Sequence, residues 1–126
     1  MILNLTDLSD EPLQGQISRQ IRAKILVGEL PAGTSLPSIR ALAREQHVSV
    51  ITVQRAYEHL MHEKLIHSRR GKGFFVSQLP SDEKKKMARQ RFSEKIKPII
   101  TDALAEGLRL HEIRDEVKIL IKENTS

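Results

Sequence analysis

The chain has 126 residues but no cysteine, no tryptophan and only 3% aromatic residues. The lack of cysteine excludes disulfides, thiolate metal sites, iron–sulfur clusters and cysteine nucleophiles. The scarcity of aromatic side chains disfavours a stacking platform for single-stranded nucleic acid. No apolar run approaches the roughly 20 residues of a membrane span, and Asp7, Asp10 and Glu11 are not typical of a signal peptide. These absences favour a cytoplasmic protein without a membrane partner.

The spacings that enzymes and metal sites require are also missing. The sequence contains no paired carboxylates at a telling separation and no nucleophile elbow, and Gly71-Lys72-Gly73 is too short to be a phosphate-binding P-loop. His59 and His62 lie three positions apart, but no third ligand follows at a convincing spacing. The sequence therefore predicts a protein that is not an enzyme and that holds no metal and no cofactor.

Positive charge is concentrated in the middle of the chain. The whole chain has 21 basic and 16 acidic residues, which gives a net charge of +5. Residues 38–76 alone contain seven lysines and arginines against three acidic residues. We therefore expect a polyanion to bind this stretch.

Apolar periodicity predicts three helices in the first half of the chain. The first begins at Pro12, whose missing N–H suits a first helical turn. The second is short and begins at Pro37 and Ser38, and the third begins near Ser49, a plausible N-cap. The apolar faces of the three helices are, in order, Leu13, Ile17, Ile21 and Ile25; Ile39, Leu42 and Ala43; and Val53, Ala56, Tyr57 and Leu60.

A basic hairpin is predicted after the third helix. Leu65-Ile66-His67 and Phe74-Phe75-Val76 are typical of two short strands, and residues 68–73 between them are rich in glycine and positive charge. Two helices joined by a tight turn and followed by such a hairpin indicate a winged helix-turn-helix. In that fold the third helix places its N-terminal turn in the major groove of DNA. The hairpin, called the wing, reaches an adjacent groove or the phosphates.

The composition changes after Leu79-Pro80 to that of long helices. One helix is predicted from Glu83 to Gly107, and Pro98 within it should kink the helix or split it in two. The last helix has apolar residues at alternating spacings of three and four, a heptad-like pattern. This apolar seam could pack back on the first domain, but we favour a homodimer formed through Phe92, Ile96, Ile99, Ile100, Leu110, Ile113, Val117 and Leu120.

The predicted fold class is mainly α with a small β hairpin. Residues 1–79 are expected to form a winged helix-turn-helix DNA-binding domain, and residues 80–126 a short, two-helix dimerisation region. A two-fold dimer would bind a pseudo-palindrome whose half-sites lie about one helical turn apart, or a multiple of that distance.

Four motifs resemble the GntR family of bacterial transcription regulators, in the right order and spacing over residues 12–76. The family signature LPSxRxLA is similar to Leu36-Pro37-Ser38-Ile39-Arg40-Ala41-Leu42-Ala43. The other motifs are Pro12-Leu13-x-x-Gln16-Ile17, Val48-Ser49-x-x-Thr52-Val53-x-x-Ala56-Tyr57-x-x-Leu60 and Arg69-Arg70-Gly71-Lys72-Gly73-x-Phe75-Val76. The short tail resembles the YtrA subfamily, whose members dimerise through two C-terminal helices. The resemblance implies a homodimeric repressor that binds double-stranded operator DNA.

The resemblance also implies which residues bind DNA. Arg40 would contact guanine or phosphate, and hydroxyl groups of the second and third helices would contact phosphate. The groove-facing positions of the third helix and the wing complete the set. The full set is Ser38, Arg40, Ser49, Val50, Ile51, Thr52, Gln54, Arg55, Arg69, Arg70, Gly71 and Lys72.

Three of these positions depart from the pattern that the family commonly shows. Val50 and Ile51 stand where polar residues are common, and Gln54 stands where Arg or Lys is common. Apolar side chains in the major groove favour thymine methyl groups, and Gln can pair with adenine. We therefore expect an operator richer in A·T at these positions. If the third helix is rotated, Val50 and Ile51 would instead be additional core residues.

Two alternatives stay open at this point. A winged helix can also be a protein-interaction module without sequence-specific DNA binding, although docking surfaces tend to be more aromatic and less charged. An unknown small-molecule effector could bind between the domains or the protomers, and nothing in the sequence names it.

Overall fold

The computed structural model describes residues 1–125, and within them five helices and two strands. The chain folds as two compact units: unit 1 is Met1–Lys84, and unit 2 begins at Lys85. The predicted fold class, mainly α with one small hairpin, is confirmed. The elements in chain order are α1 (Leu13–Leu26), α2 (Ile39–Gln46), α3 (Val50–His62), β1 (Ile66–Arg69), β2 (Gly73–Val76), α4 (Ser81–Ala105) and α5 (Leu110–Thr125).

The core of unit 1 forms where α1 and α2 pack against α3. Of the predicted apolar face of α1, Ile17, Ile21 and Ile25 are fully buried, while Leu13 is half-buried. Burying one side chain of this size contributes about 1.5–3 kcal/mol, so the cluster fixes the direction of α3 within unit 1. Its members are Ile17, Ile21 and Ile25 of α1, Leu42 of α2, and Val53, Ala56, Tyr57 and Leu60 of α3.

A buried ion pair also joins α1 to the end of α3. Nη2 of Arg22 lies 2.6 Å from Oε1 of Glu63, and Nε of Arg22 donates to both carboxylate oxygens. The two side chains are only 5% and 17% exposed. The pair was not anticipated from the sequence, because apolar periodicity does not show which polar residues meet across 41 positions.

Serine N-caps begin α2 and α3. Oγ of Ser38 accepts a hydrogen bond from the backbone N–H of Ala41 at 3.1 Å, and Oγ of Ser49 accepts one from that of Thr52 at 3.1 Å. Each bond satisfies a backbone donor that the first helical turn would otherwise leave unpaired. The predicted start of α3 near Ser49 is thus confirmed. His47 closes the turn between the helices with a left-handed φ of 56°.

Pro12 is the N-cap of α1, one position before the first-turn place that was expected for it. The irregular segment before it lies along α1 and is held by two glutamine side chains. The Gln20 amide exchanges two hydrogen bonds with the backbone of Asn4, and the Gln16 amide does the same with Thr6. The two amides therefore replace part of the backbone pairing that this segment lacks.

The antiparallel hairpin of β1 and β2 differs in its boundaries from the sequence prediction. β1 extends to Arg69, which pairs with Gly73, so the turn itself contains only residues 70–72. Gly71 and Gly73 have φ values of 73° and 101°, which favour glycine. On its other edge, β2 forms a bridge between Phe75 and Ser35. The hairpin is thereby attached to the segment that leads into α2.

α4 continues through Pro98 as one helix of 25 residues, so of the two predicted outcomes, a kink or a split, the split is wrong. Proline removes one backbone donor, but hydrogen bonds on both sides of it hold the helix together. Pro98 is exposed, so water can reach the carbonyl group that loses its partner. α4 also begins at Ser81, two residues before the predicted start. The predicted last helix is confirmed as α5.

The helices of unit 2 expose their apolar faces. Among the described residues of α4 and α5, none is buried. Large apolar side chains point to solvent on both helices, among them Phe92, Ile99 and Leu110 at 63%, 63% and 59% exposure. Polar residues interrupt these apolar faces. Within residues 1–125, no helix is both long and apolar enough to cross a membrane.

Candidate nucleic-acid interface

Tyr57 fixes α3 relative to the start of α2 and to the hairpin. Its side chain is fully buried, and its hydroxyl donates to the carbonyl of Pro37 at 2.8 Å. Its ring meets Phe74 of β2 edge-on, with centroids 4.9 Å apart. Burial raises the pKa of the Tyr57 hydroxyl above its usual value, and the carboxylate of Glu45 adds to the shift. The hydroxyl therefore stays protonated and remains a donor to Pro37.

The first turn of α3 presents an exposed surface. Val50 and Ile51 are 41% and 53% exposed, so the alternative in which they are core residues is wrong. Ser49 is exposed and Thr52 is half-buried, and their hydroxyl oxygens lie 2.8 Å apart. One turn further on, the side chains of Gln54 and Arg55 are exposed. A DNA groove placed against the start of α3 would face these exposed side chains.

Glu58 joins this surface, although the sequence motifs assign it no role. Its Oε1 accepts a hydrogen bond from Nε2 of Gln54 at 3.1 Å. Residues four apart lie on the same helix face, and that spacing was the signal that could have identified the pair. The contact leaves Gln54 with one N–H and a carbonyl oxygen free to pair with a base edge.

The start of α2 places Ser38 and Arg40 on the surface. Both side chains are exposed. The Ser38 oxygen is engaged in the cap to Ala41, but a hydroxyl that accepts one bond can still donate its own proton. The N-terminus of α2 carries partial positive charge. Ser38 and Arg40 are therefore suited to bind an anionic group.

The wing residues lie at the end of the hairpin. Arg69 is the last residue of β1, while Arg70, Gly71 and Lys72 form the turn, and all four are exposed. The Arg69 guanidinium lies over the ring of Phe75, with Cζ 4.9 Å from the ring centroid. This contact was not anticipated from the sequence, because the side-chain pairing depends on the exact register of the two strands.

The positions on α2, α3 and the wing that are expected to bind DNA all lie in unit 1. Three helices, an exposed N-terminal turn on the third and a basic hairpin define the class of winged helix-turn-helix DNA-binding proteins. The family described as "Bacterial regulatory proteins, gntR family" matches residues 13–76. The chain therefore belongs to the GntR family, in agreement with its sequence motifs.

Individual relatives extend the likeness beyond unit 1. The transcriptional repressor YtrA of Bacillus subtilis is 28% identical over 93% of this chain and 90% of its own length. A probable rhizopine catabolism regulatory protein, MocR of Rhizobium meliloti, is 40% identical over 59% of this chain, but this chain spans only 15% of it. The solved structure of YtrA from Sulfolobus acidocaldarius matches 98% of this chain and all of that one, with 33% identity and a TM-score of 0.59.

The two YtrA proteins are named as a transcriptional repressor and a transcription factor, and this chain is a transcription regulator of the GntR family. The resemblance to YtrA covers unit 2 as well as unit 1, since it extends over almost the whole chain. The twelve candidate DNA-binding residues and the eight dimerisation residues remain predictions.

Proposed function

We propose that this chain is a cytoplasmic, homodimeric repressor that binds a pseudo-palindromic operator in double-stranded DNA. The observation that carries the proposal is the joint exposure of the first turn of α3 and of the basic turn of the wing on one folded unit. An exposed helix start can enter a major groove, and a basic hairpin beside it can bind the flanking backbone.

Each part of the interface has its own role in this proposal. Val50, Ile51 and Gln54 contact base edges in the major groove, with Arg55 beside them. Arg40 and the candidate hydroxyl groups bind phosphates of the DNA backbone, because phosphate contacts fix the register of a protein on DNA. The wing contributes further positive charge. No step requires a cofactor or a reaction, and we infer that the protein is not an enzyme.

The homodimer is proposed from the apolar surface of unit 2. A helix pair whose described residues include none that is buried gains little from folding alone. A second copy would cover the exposed apolar side chains and so stabilise the helix pairs of both copies. The proposed contact residues are Phe92, Ile99, Leu110 and Leu120, which are exposed, and Ile96, Ile100, Ile113 and Val117, which are half-buried.

We assign no small-molecule effector to the clefts of unit 1. Two shallow clefts in unit 1 have volumes of about 140 and 190 Å³. Ligand sites for drug-sized molecules usually have about 300–1,000 Å³. Both clefts are smaller than that range, and we assign no effector to them.

Selection of duplexes from a random library by the purified full-length protein tests the proposal. We expect an inverted repeat whose half-sites lie about 10 base pairs apart, or a multiple of that distance. Enrichment of no common sequence would contradict the proposal and favour the protein-interaction module. Enrichment of a single half-site without a repeat would contradict the dimer alone.

A further inference from the structure

The outer face of the wing carries an ordered stack of side chains. In the register of β1 and β2, His67 is paired with Phe75, and Arg69 lies two positions further along β1. Alternate residues of a strand share a face, so these three side chains are neighbours. The rings of His67 and Phe75 are stacked at 6.1 Å with an angle of 28°, and the guanidinium of Arg69 covers Phe75.

Phe75 is a fixed base for this stack. The residues on either side of it in β2 are hydrogen-bonded to the segment before α2: Leu36 N–H donates to Phe74, and Val76 N–H donates to Thr34. His67 is held in turn by a hydrogen bond of 2.9 Å between its Nδ1 and the hydroxyl of Ser77. The ring under Arg69 is therefore attached to unit 1 through both edges of β2.

Arg69 is exposed, so a ligand can reach its N–H donors. A guanidinium stacks through its flat face, while its N–H donors point outward in its plane. Opposite Arg69 stands Gly73, which has no side chain to block approach. An arginine already held in one orientation loses less rotamer freedom when it binds. Such an arginine suits a narrow A·T-rich minor groove, which attracts guanidinium groups.

We infer that Phe75 is a positioning residue, which holds Arg69 for insertion into the minor groove next to the α3 site. The inference rests on the proposed function and assigns Arg69 a role in specificity that Arg70 and Lys72 do not share. Those two residues lie in the turn beyond the stack and contribute charge toward the phosphates. Loss of the Phe75 ring should therefore weaken binding only through Arg69.

A double-mutant cycle on the selected duplex tests the coupling. Phe75→Leu should weaken binding roughly two- to tenfold, because Arg69 would then lose its rotamer freedom only on binding. The same change in an Arg69→Ala background should have no further effect. In the matched Arg70→Ala background its effect should persist. Equal effects of Phe75→Leu in the Arg69→Ala and wild-type proteins would overturn the inference, since they would indicate only a structural role.

Base analogues test whether the contact lies in the minor groove. Footprinting of the wild-type protein against Arg69→Ala locates the base pairs that Arg69 covers. There, replacing A·T by G·C adds an amino group to the minor groove, whereas an inosine·C pair lacks it. The wild type should lose affinity for the G·C duplex and keep it for the inosine duplex. Similar losses on both duplexes would place Arg69 elsewhere and overturn the inference.

Controls separate this inference from the proposed function and from misfolding. A wild-type protein that selects no duplex overturns both, whereas a selective wild type with uncoupled variants overturns only the role of Phe75. Thermal unfolding followed by circular dichroism reports whether Phe75→Leu folds. If it does not, Arg69→Lys tests the same contact, because lysine keeps the charge but not the planar group. Unchanged discrimination between the inosine and G·C duplexes by Arg69→Lys would overturn the inference.

Discussion

Single side chains decide which surfaces of unit 1 face solvent and which are fixed. Tyr57 is buried and ties α3 to the carbonyl of Pro37, while Val50 and Ile51 on the same helix are exposed. The burial of Tyr57 and the exposure of Val50 and Ile51 follow from their positions on α3, because buried residues recur with the helical period. Val50 and Ile51 are therefore accessible to the operator contacts that we propose for them.

The first prediction concerns contacts between Ile51 and thymine. Replacing thymine by uracil at the base pairs under α3 removes a methyl group from the major groove. We expect a loss of about 0.8 kcal/mol for each methyl group that is buried, measured by fluorescence anisotropy. Ile51→Ala is the control and should abolish most of this sensitivity. Selected operators with G·C at these positions would contradict the prediction.

The second prediction concerns Arg40 in the first turn of α2. Arg40→Ala should weaken binding to the selected duplex by about 1–3 kcal/mol if Arg40 contacts a base. Its side chain is exposed, so the change should leave the thermal unfolding of the protein unaltered. An equal loss on selected and scrambled duplexes would show that Arg40 contacts only phosphate.

At the scale of elements, the ion pair between Arg22 of α1 and Glu63 supports the orientation of α3. Arg22 is almost completely buried, and Glu63 is its partner at the end of α3. Removing one member of a buried pair leaves the other charge without a partner, which is strongly destabilising. The pair of Lys24 on α1 and Glu29 in the turn after it, at 2.7 Å, is more exposed and offers a comparison.

The third prediction compares these two ion pairs. Glu63→Ala should lower the free energy of unfolding by about 3 kcal/mol. Glu29→Ala, which breaks the exposed pair, should lower it by less than about 1 kcal/mol. Urea unfolding followed by circular dichroism measures both. Equal effects of the two substitutions would contradict the structural role given to Arg22 and Glu63.

Most of the elements could be predicted from the sequence, since their signals are local. The period of Ile17, Ile21 and Ile25 predicted α1, and the cap at Ser49 predicted α3. The predicted split at Pro98 was wrong because the loss of one donor does not outweigh the remaining hydrogen bonds of a long helix. The side-chain contact between Arg69 and Phe75 could not be foreseen, because it depends on strand register.

For the candidate site, the positions of the residues were predictable, but the contacts among their side chains were not. Motif spacing identified its positions, and the structure shows eleven of the twelve exposed and Thr52 half-buried. It did not identify Glu58, and it gave Phe75 as a motif and strand residue without its contact to Arg69. Such partners are recognised only when the three-dimensional neighbours of each site residue are known.

At the scale of the whole molecule, charge and apolar surface lie in different parts of the chain. Residues 38–76 in unit 1 contain most of the net positive charge, whereas unit 2 exposes large apolar side chains. A polyanion and a second copy of the chain are the partners that these two surfaces suit. A dimer also places two DNA-binding units on one operator, which raises affinity through effective concentration.

The fourth prediction tests the dimer surface of unit 2. Ile99→Glu should convert a dimer into a monomer in sedimentation velocity at micromolar concentration, because it places a charge in the apolar interface. Leu8→Glu is the control: Leu8 is 96% exposed in the N-terminal segment, outside the proposed interface. A wild-type monomer, or a dimer that survives Ile99→Glu, would contradict the proposed interface.

Fluorescence anisotropy of the full-length protein on the selected duplex and on a scrambled duplex, across a salt series, tests the central claim most directly. We expect selective binding that weakens by about 10³-fold or more between 50 and 200 mM salt, as for a protein that makes six or more phosphate contacts. Equal, weak binding to both duplexes at every salt concentration would contradict a sequence-specific regulator.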